Sequence, residues 1–386
     1  MLSDEELINL DDLGRYYRPL MHYTEEKIAR SIKECRNNRP AQQALFAQNL
    51  HTNIEDWEQH FSLKLNPLQK KAIAMVFTQG LSIITGGPGT GKTTIIRVLI
   101  AEAQRRGERW LLAAPTGRAA KRMTETTHHP AQTIHRMLEY SNQGFRYNKE
   151  HPLQADTILI DESSMLDIWL MNSILQAIPS HCRLVLVGDV DQLPSVGPGQ
   201  VLFDCIECGV LPFTRLTEVY RQAQDSNIIR NAHRLNSGLT PISMEKDPAA
   251  GILKDFFVID RKDNEESIAT LINIASQKLP TMGFDPLKDI QILSPMNNGT
   301  LGTHNLNREL QSSLNPNGAP FIHNGSKGNK EFRVGDRIVQ LRNDYDNDIF
   351  NGDIGTILRI SYNGTEKDGL IIQFDTQVLL LRAEEL

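Results

Sequence analysis

The sequence predicts an α/β fold, a parallel sheet layered between helices, and three observations carry that expectation. First, Leu81–Ile84 is a short apolar run with β-branched residues, followed by a glycine-rich stretch and a helical run from Thr94 to Arg106. Second, further buried-strand runs at Trp110–Ala114, Thr157–Glu162 and Arg183–Gly188 are separated by helical segments, the order that builds a three-layer α/β unit. Third, these runs end in Gly, Pro, Thr, Asp, Glu or Gln, and ligand contacts gather at strand carboxyl ends in open α/β sheets.

Composition sets the outer bounds. The 386 residues suffice for two or three domains at about 100–200 residues each. With 40% hydrophobic and 23% charged residues, the chain reads as soluble and globular. No apolar run approaches the roughly 18 residues of a membrane span. The opening MLSDEELINLDDLGRYY is acidic and has no apolar signal core, and four cysteines make no disulfide framework, so a reducing cytoplasm is expected. Lys plus Arg number 41 against 47 Asp plus Glu. The resulting charge of −6 argues against a coat of non-specific nucleic-acid contacts but leaves room for a local basic channel.

Residues 1–62 read as a helical segment, with helices at Tyr23–Cys35 and Ala41–Leu50 and a break at Asn37–Pro40. A first α/β domain is expected over 63–238. Asn66–Pro67 opens a helix that carries Gln69, either a plain helix residue or an amide able to read both edges of adenine. Gly86–Thr93 (GGPGTGKT) fits G-x-x-x-x-G-K-[ST] at every fixed position. Gly86, Gly87, Gly89 and Gly91, with Pro88 and Thr90 between them, let backbone N–H groups approach phosphate oxygens, and the helix N-terminus at Thr93–Thr94 adds partial positive charge. Lys92 can reach the β- and γ-phosphates, and the Thr93 hydroxyl can ligate Mg²⁺. The loop alone says nucleoside triphosphate and leaves open what the energy drives.

Beyond the loop, Pro115, Thr116 and Arg118 stand at the end of the second strand, and Arg118, Lys121 and Arg122 form either a solvated basic face or a contact surface. Thr133, His135 and Arg136 follow. Residues 139–156 read as a hairpin insertion with Phe145, Arg146 and Tyr147 on one arm, either a connection or a nucleic-acid probe. TILIDE ends in two carboxylates: Asp161 is assigned to the metal and Glu162 to the catalytic base. The strand RLVLVG delivers Asp189, Asp191 and Gln192, and Gln192 can sense a γ-phosphate or its water. Arg221 follows an apolar segment and could act as an arginine finger. Cys205 and Cys208 form a C-x-x-C without further ligands nearby, better read as a helix turn than as half a zinc site.

A second unit, 239–325, has expected strands at Phe256–Ile259 and Ile290–Ser294 and helices at Glu265–Lys278 and Leu301–Leu314. The last stretch, 326–386, alternates short strands (Arg337–Leu341, Thr356–Ile360, Leu370–Phe374, Val378–Leu381) with Gly, Asn and Asp turns, as in a small β-barrel.

Together the segments NPLQ, GGPGTGKTT, APTGRAA, TIHRML, DESSM, VGDVDQLPSVGPG, LTEVYRQ, IIRNAHRLNSG, LSPMNNGTLGTHNLN and FNGDIG make this chain resemble the RecD-like DNA helicases of superfamily 1, over most of 63–386. The resemblance implies a P-loop NTPase with two RecA-like domains, the second partial, and an inserted SH3-like barrel. ATP and Mg²⁺ are the implied cofactors. Single-stranded DNA and the single-strand/duplex junction are the implied partners, with a monomer expected and subunits of a nuclease complex also possible. Movement is 5′ to 3′ in this branch, in DNA recombination or repair. Gln69 would contact adenine, Gln192 and Arg221 the γ-phosphate, and 139–156 would be the pin at the junction. Pro115, Thr116, Arg118, His135, Pro295, Asn297 and Asn351 fall in motifs that line the DNA path.

The chain departs from the family pattern at its ends. No H-K-[ST]-Q-G segment or second arginine motif precedes Leu386, and 1–60 resembles the tail of a larger domain, so truncation at both ends is expected. Two further readings stand beside the motor: an ATP- and DNA-binding module that does not unwind, and a small-molecule kinase. A kinase has no use for Gln192 beside Arg221.

Overall fold

The computed structural model describes residues 16–37, 54–141, 143–218, 226–243, 255–325, 328–341, 344, 347, 349–364, 366–374 and 377–385. The chain divides into two compact units, Met1–Phe257 and Val258–Leu386. The division falls later than the expected 238, because Ser226 Oγ and Asn227 N both donate to the Asp255 carboxylate and tie 255 to the first unit.

In the first unit the strands are β1 Leu81–Gly86, β2 Trp110–Ala114, β3 Ala131–Thr133, β4 Tyr140–Ser141, β5 Gly144–Phe145, β6 Thr157–Ile160, β7 Arg183–Gly188 and β8 Phe213–Leu216. Six of them form one sheet in the order β3-β2-β6-β7-β1-β8, parallel at every pairing. The strand side chains alternate between two cores. Ile158, Ile160, Leu184 and Leu186 enter one, and Leu159, Val185 and Val187 the other, the period-two pattern of a sheet covered on both faces. Burying each such aliphatic side chain contributes about 1.5–3 kcal/mol. The helix Pro19–Asn37 lays Ile28, Ile32 and Cys35 on the first face, beside Met171 and Ile174 of the helix Ile168–Ala177. The helices Pro67–Thr78 and Lys92–Arg105 cover the second.

Local signals set several boundaries. Asn66 and Gln69 make a capping box that starts the helix Pro67–Thr78. Gly107, at φ +67°, ends the P-loop helix in the left-handed conformation that glycine adopts at low cost. The expected hairpin condenses to the two-residue strands β4 and β5, antiparallel to each other, and the C-x-x-C is a helix turn in which Cys208 Sγ donates to the Cys205 carbonyl. The expected helix Ala41–Leu50 lies outside the described residues.

In the second unit, helices run over Asn264–Asn273, continuing through a π-turn to Lys278, and over Thr303–Leu314. The strands are β9 Pro320–Gly325, β10 Gly328–Arg333, β11 Arg337–Val339, β12 Ile354–Asn363, β13 Glu366–Phe374 and β14 Val378–Arg382. β11 to β14 form an antiparallel meander in sequence order, as expected for the barrel. The hairpin β9–β10 was not anticipated; its cross-strand pair Phe321 and Phe332 packs into the core of Ile357, Leu370, Ile372 and Phe374.

The strands expected at Phe256–Ile259 and Ile290–Ser294 are a correction: both segments are irregular. Neither has a ladder partner among the described residues, and a strand without a partner leaves its N–H and C=O groups unpaired.

Candidate nucleotide-binding site

Because the six-stranded sheet is parallel throughout, its carboxyl ends share one edge. β1 ends in the glycine loop, β2 in Pro115 and Thr116, β3 ahead of His135, β6 in Asp161 and Glu162, and β7 in Asp189–Gln192. β8 leads toward Arg221, which lies outside the described residues.

The loop's glycines have structural work. Gly89 and Gly91 have φ of 76° and 87°. A Cβ on Gly86 would stand 2.8 Å from Thr90 Oγ1 and 2.9 Å from the Leu216 carbonyl oxygen, so β8 and the loop close on that position. Thr90 Oγ1 donates to the Gly87 carbonyl at 2.8 Å. Lys92 Nζ donates to the Gly86 carbonyl and, at 3.2 Å, to that of Gly87. No side chain caps the amino end of the helix Lys92–Arg105, so its first N–H groups can meet an anion. Pro88 and Gly89 are exposed at the loop tip, and Thr93 is exposed on the first helical turn. The glycine conformations, the uncapped helix and Lys92 fit a triphosphate.

Gln69 sits beneath this loop rather than beside open space. It is fully buried; its Oε1 accepts from Asn66 N at 3.0 Å and its Nε2 donates to the Thr90 carbonyl at 3.3 Å. Its amide thus joins the start of one helix to the backbone of the phosphate loop.

Asp161 Oδ1 accepts from Glu162 N at 2.9 Å. Burial pushes the Asp161 carboxyl up to about 6; that hydrogen bond and the charges of Lys92 and Arg122 oppose the rise, and Glu162 adds to it. Glu162 is held at φ 51°, a left-handed conformation that costs a non-glycine residue on the order of 1–3 kcal/mol. The turn that holds it is secured by Met165 N donating to the Glu162 carbonyl at 3.1 Å and Ser163 Oγ to that of Ile160 at 2.9 Å.

The β7 loop is tied to the β1 end. Val190 N donates to Thr85 Oγ1 at 3.1 Å, and Gln192 N to the Asp189 carbonyl at 3.2 Å. Asp191 pairs with Arg215 of β8 at 2.7 Å, and Gln192 is exposed. One sheet edge therefore holds the loop, both carboxylates and Gln192.

The residues expected on a DNA path divide between the units. In the first, Thr116 Oγ1 caps the helix Gly117–Thr127 through Ala119 N at 3.3 Å, with Pro115 beside it and Arg118 exposed. His135 packs its ring on Tyr140 and Phe145 of the β4–β5 hairpin, with centroids at 5.6 and 5.8 Å. Burial lowers the His135 pKa, and Asp167 opposes that shift. Tyr140 remains 60% exposed, so the hairpin offers an aromatic face. In the second unit, Pro295 is exposed, Asn297 Oδ1 accepts from Thr303 Oγ1 at 3.2 Å, and Asn351 lies in a turn.

Two residues at the sheet edge were not singled out by sequence reasoning. Thr85 is buried and anchors the β7 loop. His233, on the helix Asn227–Asn236, brings its Cε1 to 3.7 Å from where a Cβ on Gly87 would stand. Its only sequence signal was its place within IIRNAHRLNSG.

Residues 69–198 match a family model described as an AAA domain, and 306–374 match the ATP-dependent RecD-like DNA helicase SH3 domain. The second match begins ahead of the expected 326 and takes in β9–β10. The ATP-dependent RecD2 DNA helicase of Deinococcus radiodurans is 35% identical over 376 residues, covering 97% of this chain and 48% of that protein. The RecBCD enzyme subunit RecD of Haemophilus influenzae is 28% identical over 374 residues, covering 75% of this chain and 57% of that protein. The chain thus spans about half the length of the curated relatives it matches. A solved structure of two coordinating Pif1 helicases at forked double-stranded DNA overlays with a TM-score of 0.45 at 19% identity, over 83% of this chain and 76% of that one.

Proposed function

The chain belongs to the RecD-like DNA helicase family, and on that premise we propose that it is an ATP-driven motor on single-stranded DNA, moving 5′ to 3′ in recombination or repair in the cytoplasm. The observation that carries this reading is the shared carboxyl edge, where the phosphate loop, Asp161, Glu162 and Gln192 meet.

The loop amides and Lys92 hold the phosphates, with Lys92 leaving the Gly86 and Gly87 carbonyls for phosphate oxygens. Thr93 and Asp161 would hold Mg²⁺, which commonly takes one or two protein oxygens alongside phosphate oxygens and water. Bound Mg·ATP supplies a phosphoanhydride whose γ-phosphate can pass to water. Glu162 accepts a proton from that water, in a backbone conformation fixed before the nucleotide arrives. Gln192 and Arg221 contact the γ-phosphate, and the Val190–Thr85 bond links the Gln192 loop to the strand that carries the phosphate loop. Gln69 acts on adenine only if its amide gives up Thr90; as it stands, it braces the loop. Pro115, Thr116, Arg118 and His135, with the aromatic hairpin, form the first unit's DNA surface, and Pro295, Asn297 and Asn351 the second unit's.

The test is ATP hydrolysis with and without single-stranded DNA, followed by unwinding of a forked duplex. Stimulation by single strands is expected. Absence of stimulation overturns the motor reading. Stimulation without unwinding favours the second reading, a module that binds ATP and DNA, which the coverage of about half of each relative keeps in view.

A further inference from the structure

We infer that His233 is a further nucleotide-contact residue, one that recognises the terminal phosphate of the triphosphate; this rests on the ATP-binding reading above. Among the described residues, the neighbour within 4 Å of a Cβ built on Gly87 is His233 Cε1, at 3.7 Å. Gly87 is also where Lys92 Nζ rests, at 3.2 Å from its carbonyl oxygen. Lys92 is the side chain that reaches the β- and γ-phosphates in such loops. The imidazole therefore stands at the loop residue beside which Lys92, the side chain that reaches the β- and γ-phosphates, waits.

The position of His233 is built. Asn231, two residues earlier on the same helix, is buried; it accepts from Ile242 N at 2.7 Å and donates to the Ile242 carbonyl at 2.9 Å. Ser226 and Asn227 hold the other end of the helix on Asp255 at 2.5 and 2.9 Å. The neighbouring cations are engaged: Arg234 Nε donates to the Thr240 carbonyl at 2.9 Å and Arg230 to Asn227 Oδ1 at 3.3 Å. The His233 ring nitrogens have no hydrogen-bond partner among the described residues, although its backbone carbonyl accepts from Ser237. A pinned helix thus presents an unengaged imidazole to the phosphate loop. Because a terminal phosphate is lost on hydrolysis, the contact distinguishes ATP from ADP and couples this helix to the nucleotide state.

The experiment is calorimetric binding of ADP and of a non-hydrolysable imido analogue of ATP, both with Mg²⁺, to the full chain and to His233→Ala. The variant is expected to bind the ATP analogue about tenfold more weakly, the scale of one hydrogen bond to a charged group. ADP affinity should move by less than about twofold. His233→Gln, which keeps an N–H donor, should recover part of the loss. Equal affinities for the analogue in variant and parent overturn the inference, as does an equal loss for both nucleotides, which would make His233 a packing residue of the loop. If His233→Ala unfolds, the ratio of the two affinities in His233→Asn and His233→Gln decides in the same way. If the parent chain itself binds neither nucleotide, the ATP-binding reading fails first and this inference falls with it.

Discussion

Two apolar stretches of this chain look alike as sequence and differ as structure. Leu184–Val187 in β7 is fully buried, while Val258 and Ile259 are 46% and 47% exposed and Leu293 is 86% exposed. β7 has β6 on one side and β1 on the other, and helices cover both faces. The segments 256–259 and 290–294 have no strand beside them among the described residues. A strand is a property of a pair: apolar, β-branched composition prepares a segment for a ladder, and the neighbour's N–H and C=O groups complete it. The chemistry follows the same division, for the phosphate loop, both carboxylates and Gln192 hang from paired strands, and the second unit holds no such loop.

The strongest way to break this comparison is at the site. Glu162→Gln should lower ATP hydrolysis about 10²–10⁴-fold while leaving Mg·ATP binding intact, measured by phosphate release and by calorimetry. Loss of binding in that variant would show that Glu162 is not the base. Lys92→Ala should instead weaken triphosphate binding itself, and unchanged ATP affinity would end the phosphate-cradle assignment.

The next effects concern stability. Leu186→Ala removes a side chain held between two layers and should cost about 2–5 kcal/mol in urea unfolding of the first unit. Thr116→Ala deletes a helix cap and should cost about 1 kcal/mol in the same measurement. Leu293→Ala should fall within about 0.5 kcal/mol, as for an exposed side chain. A cost for Leu293 that approached that of Leu186 would mean that 290–294 is a packed strand after all.

Much of the site was legible because its spacing is local. Gly86–Thr93 needs one strand end, one loop and one helix start, all contiguous in sequence. Asp161, Glu162 and Gln192 were legible because apolar strands deliver them and a parallel sheet collects strand ends. The meander β11–β14 was legible from turn residues between short apolar runs. The hairpin β9–β10 was not, since Pro320–Arg333 is polar in pattern and its Phe321 and Phe332 find a core only across the sheet.

By itself, the sequence determined the class of fold, the triphosphate loop and the carboxylate pair, because each depends on residue type and short-range order. The tertiary structure decided which apolar runs became strands, because pairing partners lie far apart in the chain. It decided that Gln69 is buried, with its amide spent on Asn66 and Thr90, where sequence allowed a reader of adenine. It also decided that His233 stands at Gly87, because a helix far along the chain, pinned through Asn231 and Asp255, folds back onto the loop.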